Sequence, residues 1–220
     1  MQQITFSLAN ELPDHCNDFI ESSSNQLAYK YINDWSSNFG VLPYSKVLII
    51  KGPKSSGKSF LANLWAKKTG ALFLKKNHEL TSSILEYHQA FIIDGFDASW
   101  DEEDILHYFN ILHENNKYLL ITLTKIPEIK LADLSSRINS VNKIDILMVD
   151  DELMRILIFK QFSNLSILVN DDVINYLVKV LPREFPKILS VIKDINQNAL
   201  ENKKRITVPF IKHILESVLL

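Results

Sequence analysis

Lys46-Val47-Leu48-Ile49-Ile50-Lys51-Gly52-Pro53-Lys54-Ser55-Ser56-Gly57-Lys58-Ser59 is the stretch on which the reading of this chain turns. An apolar run of strand character ends directly in glycine, and residues 52–59 fit the pattern G-x-x-x-x-G-K-[ST]. Apolar residues at helical spacing follow at once (Phe60, Leu61, Leu64 and Trp65), and Gly70 is placed to stop that helix. Strand, loop and helix in this order are the context the pattern needs. Glycines let the backbone curl so that successive N–H groups face a phosphate, and the helix N-terminus adds positive potential. Gly52, Pro53, Lys54, Ser55, Ser56, Gly57, Lys58, Ser59 and Phe60 are therefore expected to hold ATP or ADP. Lys58 would reach the outer phosphates and Ser59 would ligate Mg2+. Many loops of this type carry glycine where this chain has Ser55, which sets up a possible point of backbone strain.

Outward from the loop, short apolar runs at 46–51, 71–74, 90–93, 118–123 and 143–148 read as buried strands. Helical patterns lie between them. Ser99 and Glu102 have the spacing of a capping box before Ile105, Leu106, Phe109 and Leu112. Such alternation predicts a parallel sheet covered by helices on both faces. Asp94 closes the 90–93 run; beside a phosphate loop it is a Mg2+ ligand, directly or through water, and otherwise an aspartate that ends a strand. Beyond Val149 the strand pattern stops. Helices are expected over 151–162, 171–180, 184–198 and 208–219, with Asn170 and Thr207 as N-caps and Pro209 in a first turn. The expected organisation is an irregular arm over 1–18, an α/β core over 19–149 and a small all-α lid over 150–220.

Composition narrows the function classes. With 46% hydrophobic and 23% charged residues, the 220-residue chain can build a packed core and is not a disordered one. A net charge of -2 argues against a dedicated DNA-binding surface. Cys16 is the sole cysteine, which excludes an intramolecular disulfide and fits a reducing cytoplasm. No signal-peptide pattern opens the chain, and the apolar runs at 47–50 and 118–121 are too short to span a bilayer. The six histidines show no metal-ligand spacing. Arginine is scarce (Arg137, Arg155, Arg183 and Arg205), and its planar fork suits phosphate in a way lysine does not.

Further stretches add to the loop. They are Gln3-Ile4-Thr5-Phe6-Ser7-Leu8, Phe19-Ile20 with Ser24-Asn25-Gln26-Leu27-Ala28, Phe91-Ile92-Ile93-Asp94, and Leu120-Ile121-Thr122-Leu123-Thr124 with Pro127. After these come Ala132-Asp133-Leu134-Ser135-Ser136-Arg137, Pro182-Arg183-Glu184 and Arg205-Ile206-Thr207-Val208-Pro209-Phe210. In this order the chain resembles the AAA+ ATPases of the bacterial replication initiator DnaA group, most of all its short Hda-type members, over nearly its whole length. The stretches are similar, in turn, to a sliding-clamp-binding hexapeptide, an adenine-contacting segment, the Walker B strand and the sensor 1 strand and turn. The last three are similar to the stretch ending in an arginine finger, the sensor 2 segment and the start of the last helix.

The resemblance implies an AAA+ α/β core, with a parallel five-stranded sheet flanked by helices, and a helical lid. It implies ATP or ADP with Mg2+, with Phe19 and Ile20 beside the adenine, Thr124 as sensor 1, and Arg183 as sensor 2 on the phosphates of its own subunit. Arg137 would reach outward as an arginine finger into a partner's site, and Gln3, Ile4, Phe6 and Leu8 would contact the clamp. The implied partners are DnaA, the DNA polymerase sliding clamp and further copies of the chain, in the bacterial cytoplasm. With Leu220 as the last residue, no helix-turn-helix domain and no direct sequence-specific DNA binding are expected. The implied function is regulation of replication initiation by promoting hydrolysis of ATP bound to DnaA.

Two departures bear on catalysis. Gly95 follows Asp94 where hydrolases of the group carry a second acid, with Asp97 the nearest stand-in, and Thr124 is uncharged where the group often has Asp or Asn. Weak intrinsic hydrolysis is the expectation. Beside this stand a DnaA-like adaptor or helicase-loading protein, and a degenerate regulator that binds nucleotide for structure alone. A P-loop kinase is disfavoured because no Asp-Arg dipeptide occurs. For Arg137 the alternative is an ion pair within its own helix; for Arg183 it is a surface ion pair to Glu184 or another acid.

Overall fold

The apolar runs form one sheet of five parallel strands in a computed structural model that describes residues 20–218. Gln3, Ile4, Phe6, Leu8 and Phe19 lie outside the described residues. The strands are β1 (Val47–Lys51), β2 (Leu72–Phe73), β3 (Ala90–Ile93), β4 (Tyr118–Leu123) and β5 (Asn142–Asp145), in the order β2-β3-β4-β1-β5. Side chains alternate across a strand, so each run splits between two cores. Val47, Ile49, Phe91, Ile93, Leu119 and Ile121 face one side. There they meet α4 (Ser82–Tyr87), α5 (Glu102–Glu114) and α6 (Ala132–Ser140) through Leu85, Tyr108, Phe109 and Leu134. Leu48, Ile50, Ala90, Ile92 and Leu120 face the other. That side is covered by α1 (Gln26–Asn33), α2 (Trp35–Asn38) and α3 (Lys58–Thr69). Helices on both faces explain why the strands are apolar throughout rather than alternating.

β1 lies between β4 and β5, and β4 lies between β1 and β3. The carboxyl ends of β1, β3 and β4 therefore gather at one edge, which is where open α/β sheets present their ligand sites. α3 leaves from that edge and stops at Gly70, whose left-handed φ of 68° lets its N–H reach the Ala66 carbonyl at 2.8 Å.

The second unit is helical: α7 (Asp151–Asn164), α8 (Asp171–Val180), α9 (Phe185–Glu201) and α10 (Val208–Val218). Met154, Ile158 and Phe162 recur at four-residue spacing and meet Ile174, Leu177, Ile188, Ile192, Ile195 and Ile211 in a separate core. Asp150 starts α7 by accepting the Leu153 N–H at 2.7 Å. Among the described residues no helix is long and apolar enough to cross a membrane.

Three local expectations are corrected. β5 ends at Asp145 rather than running over 143–148. The Ile146 N–H still reaches the Lys51 carbonyl, but that of Leu147 turns to the Ser24 carbonyl at 3.0 Å and leaves the sheet. Ser99 and Glu102 form no capping box. Asp101 is the N-cap of α5, accepting the Glu103 N–H at 2.8 Å, while the Ser99 N–H is taken by Asp97. Asn170 occupies the N-cap position of α8 without a side-chain bond; Asp171 and Asp172 complement the helix dipole there instead. Helices α1, α2, α4 and α6 went unrecognised as helices in the sequence, because each has at most nine residues and carries its apolar face on few positions.

Glu102 ties two elements together. Its carboxylate accepts the Lys130 N–H at 3.0 Å and the Leu131 N–H at 2.7 Å, capping α6 from α5, since Leu131 has no capping side chain. These bonds, that from Lys130 first, hold its pKa below the usual carboxylate range. A carboxylate depressed by folding contributes stability that is full above its unfolded pKa, about 4.3, and is lost as pH falls through the folded value. Glu102→Gln should therefore lower Tm at neutral pH and show a shallower decline of Tm below about pH 4. Parallel acid limbs for the two proteins would rule out this linkage.

Candidate functional site

The site begins where β1 runs out. The Gly52 N–H donates to the Leu123 carbonyl at 3.2 Å, which keeps the loop against β4. A Cβ on Gly52 would stand 2.6 Å from the Ile146 oxygen and 2.9 Å from Ser56 Oγ, so only glycine allows this turn. Gly57 takes φ +96° at the N-cap of α3. Ser55 also lies in the left-handed region, at φ 62°, where an L-residue is strained by roughly 1 kcal/mol. The strain anticipated at this position is thus present. Ser56 Oγ is buried and has no hydrogen-bond partner among the described residues.

Lys58 is almost wholly buried. Its Nζ donates to the Gly52 carbonyl at 2.8 Å and the Pro53 carbonyl at 2.6 Å, so the ammonium sits over the loop. Burial lowers its pKa, and the charge of Asp94 works the other way. Lys54 and Ser59 are exposed, and Phe60 is half-buried in the first turn of α3.

Asp94 follows β3. The register pairs Ile93 with Ile121, so the next positions along, Asp94 and Thr122, come together on the α3 side of the sheet. The Thr122 hydroxyl donates to Asp94 Oδ1, and Ser59 Oγ donates to the same oxygen at 3.1 Å. A hydroxyl and a carboxylate side by side at a phosphate loop are the hard oxygen donors of a small cation that keeps several water and phosphate ligands, and they fit Mg2+. No cluster of three or more His, Cys, Asp or Glu gathers among the described residues.

Thr122 was not singled out in the sequence; Thr124 was. Thr124 lies exposed just past β4, where it lines a shallow cavity of about 460 Å³ with Lys51, Gly52, Pro53 and residues 145–148. The signal that could have found Thr122 is a lone hydroxyl inside the apolar run of β4, two residues before Thr124 and of opposite facing to Ile121. Gly95 turns with φ +82° and gives its N–H to Thr122. Asp97 accepts the Ser99 N–H at 2.9 Å and the Ser99 hydroxyl, which lower its pKa, so its carboxylate is engaged in its own turn.

Ile20 packs against the lid core, and Asn25 holds it by donating to its carbonyl at 2.9 Å. Ser23 reaches Asp150, the cap of α7, at 3.2 Å, so the segment bridges core and lid. Arg183 lies at the same junction: it donates to the Val149 carbonyl at 2.6 Å and pairs with Asp151. Glu184 pairs with Lys187 instead. Arg137 lies on α6. Its side chain is 20% exposed and forms a two-pronged pair with Asp133, one turn earlier on α6, at 3.2 Å on each prong.

Residues 150–215 match the family described as the Hda lid domain. No curated protein sequence gives a match. Domain III of the Thermotoga maritima replication initiation protein DnaA superposes with a TM-score of 0.72 at 16% identity, over 93% of this chain and 97% of that one. A replication initiator DnaA bound to AMPPCP and single-stranded DNA gives 0.64 at 21% identity, over 86% of this chain and 67% of that one. A RuvB variant from Thermotoga maritima gives 0.66 at 14% identity, over 92% and 72%. At these identities the structural likenesses establish the fold.

Ser55→Gly should relieve the left-handed strain and raise the unfolding free energy by about 0.5–1 kcal/mol in urea titration. An unchanged or lower midpoint would mean that the serine side chain contributes more than its backbone conformation costs.

Proposed function

We propose that the chain, whose residues 150–215 match the Hda lid family and whose fold is that of DnaA domain III, regulates chromosomal replication initiation by promoting hydrolysis of ATP bound to DnaA. The observation that carries this reading is the pairing of an Hda-type lid with a complete phosphate loop whose strand β3 ends without a second acid.

The nucleotide is held by backbone N–H groups of the loop beyond Pro53 and by Lys58, with Ile20 and Phe19 on the adenine side. Bound Mg2+ supplies positive charge beside the phosphates, and Ser59 and Asp94 are its protein donors. Thr124 at the end of β4 and Arg183 at the core–lid junction respond to the phosphates as sensors 1 and 2. Own hydrolysis is weak on this reading. Gly95 has no side chain to orient water, its φ of +82° would strain any acid placed there, and Asp97 is engaged with Ser99.

The protein then acts in trans. Docked on the DNA-loaded sliding clamp through Gln3, Ile4, Phe6 and Leu8, it presents Arg137 to the ATP of a DnaA molecule. The guanidinium must first leave Asp133. A pair at this helical spacing is worth only about 0.2–0.5 kcal/mol, whereas charge-assisted bonds to phosphate are among the stronger hydrogen bonds in proteins. The exchange is therefore favourable. An arginine finger stabilises the charge that develops on the transferred phosphoryl group. DnaA left with ADP no longer fires the origin, which restrains reinitiation. The setting is the bacterial cytoplasm, and self-association through the same surfaces accompanies the reading.

The Arg137–Asp133 pair also favours a second reading. If that pair is permanent, the chain is a nucleotide-binding regulator or adaptor that supplies no finger.

The test is hydrolysis of DnaA-bound ATP with the ADP-loaded protein, sliding clamp and DNA. Stimulation is expected, and Arg137→Ala should abolish at least about a hundredfold of it while leaving ADP affinity within about twofold. No stimulation by the intact protein would overturn the main reading. Stimulation that survives Arg137→Ala would remove the finger role.

A further inference from the structure

Thr122 is fully buried, in a strand that is otherwise apolar. A hydroxyl taken out of water is costly unless it is hydrogen-bonded, and this one is bonded both as donor and as acceptor. It gives its proton to Asp94 Oδ1 and accepts the Gly95 N–H at 2.9 Å. The Thr122 carbonyl also accepts the Gly95 N–H, at 3.1 Å, and that of Phe96, at 2.8 Å. β4 therefore controls both the carboxylate at the end of β3 and the left-handed turn behind it.

We propose that Thr122 is the positioning residue of the cation site, holding Asp94 beside Ser59 in the orientation that accepts Mg2+ together with nucleotide phosphate. This rests on the nucleotide-binding part of the proposed function. The geometry that carries it is convergence on one atom: Asp94 Oδ1 receives Thr122 from β4 and Ser59 from α3. A carboxylate on a surface turn has free torsions. Two donors from separate elements remove that freedom before any ion arrives. Groups that orient metal ligands without touching the metal commonly change its affinity by about 10–100-fold when removed.

Thr122→Val keeps the shape and both carbonyl bonds and deletes only the hydroxyl. Thr122→Ser keeps the hydroxyl and deletes a methyl. ADP affinity is measured calorimetrically for each protein with EDTA and again with Mg2+, and the ratio of the two isolates the cation's contribution. Thr122→Val should bind ADP in EDTA within about twofold of the parent, while its gain from Mg2+ falls by about tenfold or more; Thr122→Ser should keep the parent's gain. Thr122→Ala replaces the valine variant if that one does not fold. An undiminished gain in the variants without the hydroxyl overturns the proposal. So does an equal loss in Thr122→Ser, which would assign the effect to packing. Absence of ADP binding by the parent protein in either buffer overturns the nucleotide reading itself, and the proposal with it.

Discussion

A methyl group on Gly52 would lie 2.6 Å from the Ile146 carbonyl oxygen, and much of the site follows from that close approach. The loop can fold over the end of β1 only because β5, ending beside it, meets no side chain at Gly52. Once seated, the loop leads into α3 through Gly57. Lys58, the first residue of that helix, is thereby buried with its ammonium over two loop carbonyls. Burying a cation is costly, and the depressed pKa of Lys58 records that cost. An anion in the loop would meet a charge that is already desolvated, which strengthens its attraction relative to one in water.

Among the described residues, Asp94 is the acid whose charge acts on this cation, and it is held by the hydroxyls of Ser59 and Thr122. The contrast with a fast hydrolase is one of kind. Grip on phosphate needs N–H groups, a lysine and a cation site; turnover needs, in addition, a group that orients water. Gly95 makes that addition difficult in two ways, through its missing side chain and its positive φ. The same turn is bonded to Thr122 through its N–H. Gly95 therefore offers no side chain at this turn while its N–H engages the Thr122 hydroxyl.

The arginines illustrate what tertiary context does to a sequence assignment. Arg183 is tied to Val149 and Asp151, so it clamps the start of the lid to the segment that leaves the core. Arg137 is folded back on Asp133. Neither is an isolated cation, yet both pairs are partly exposed and therefore weak in water. Weak pairs of this kind can be exchanged for a phosphate without unfolding anything.

The phosphate loop, the five apolar strands and the helical lid were legible in residue order, because each is written in local spacing: G-x-x-x-x-G-K-[ST] for the loop, short apolar runs for the strands and, beyond Val149, helical patterns without a strand for the lid. Local spacing carried less for the caps of α5 and α8, where several polar residues compete and backbone geometry selects among them. It carried nothing for Thr122, whose importance arises from strand register: Asp94 is 28 residues away in sequence and adjacent in space. Glu102 is similar, since its partners at Lys130 and Leu131 lie just before another helix, α6. Pairings across the sheet and between helices depend on how twisted, packed elements come to rest against one another. No periodicity along the chain encodes which hydroxyl will meet which carboxylate; the packed fold decides it.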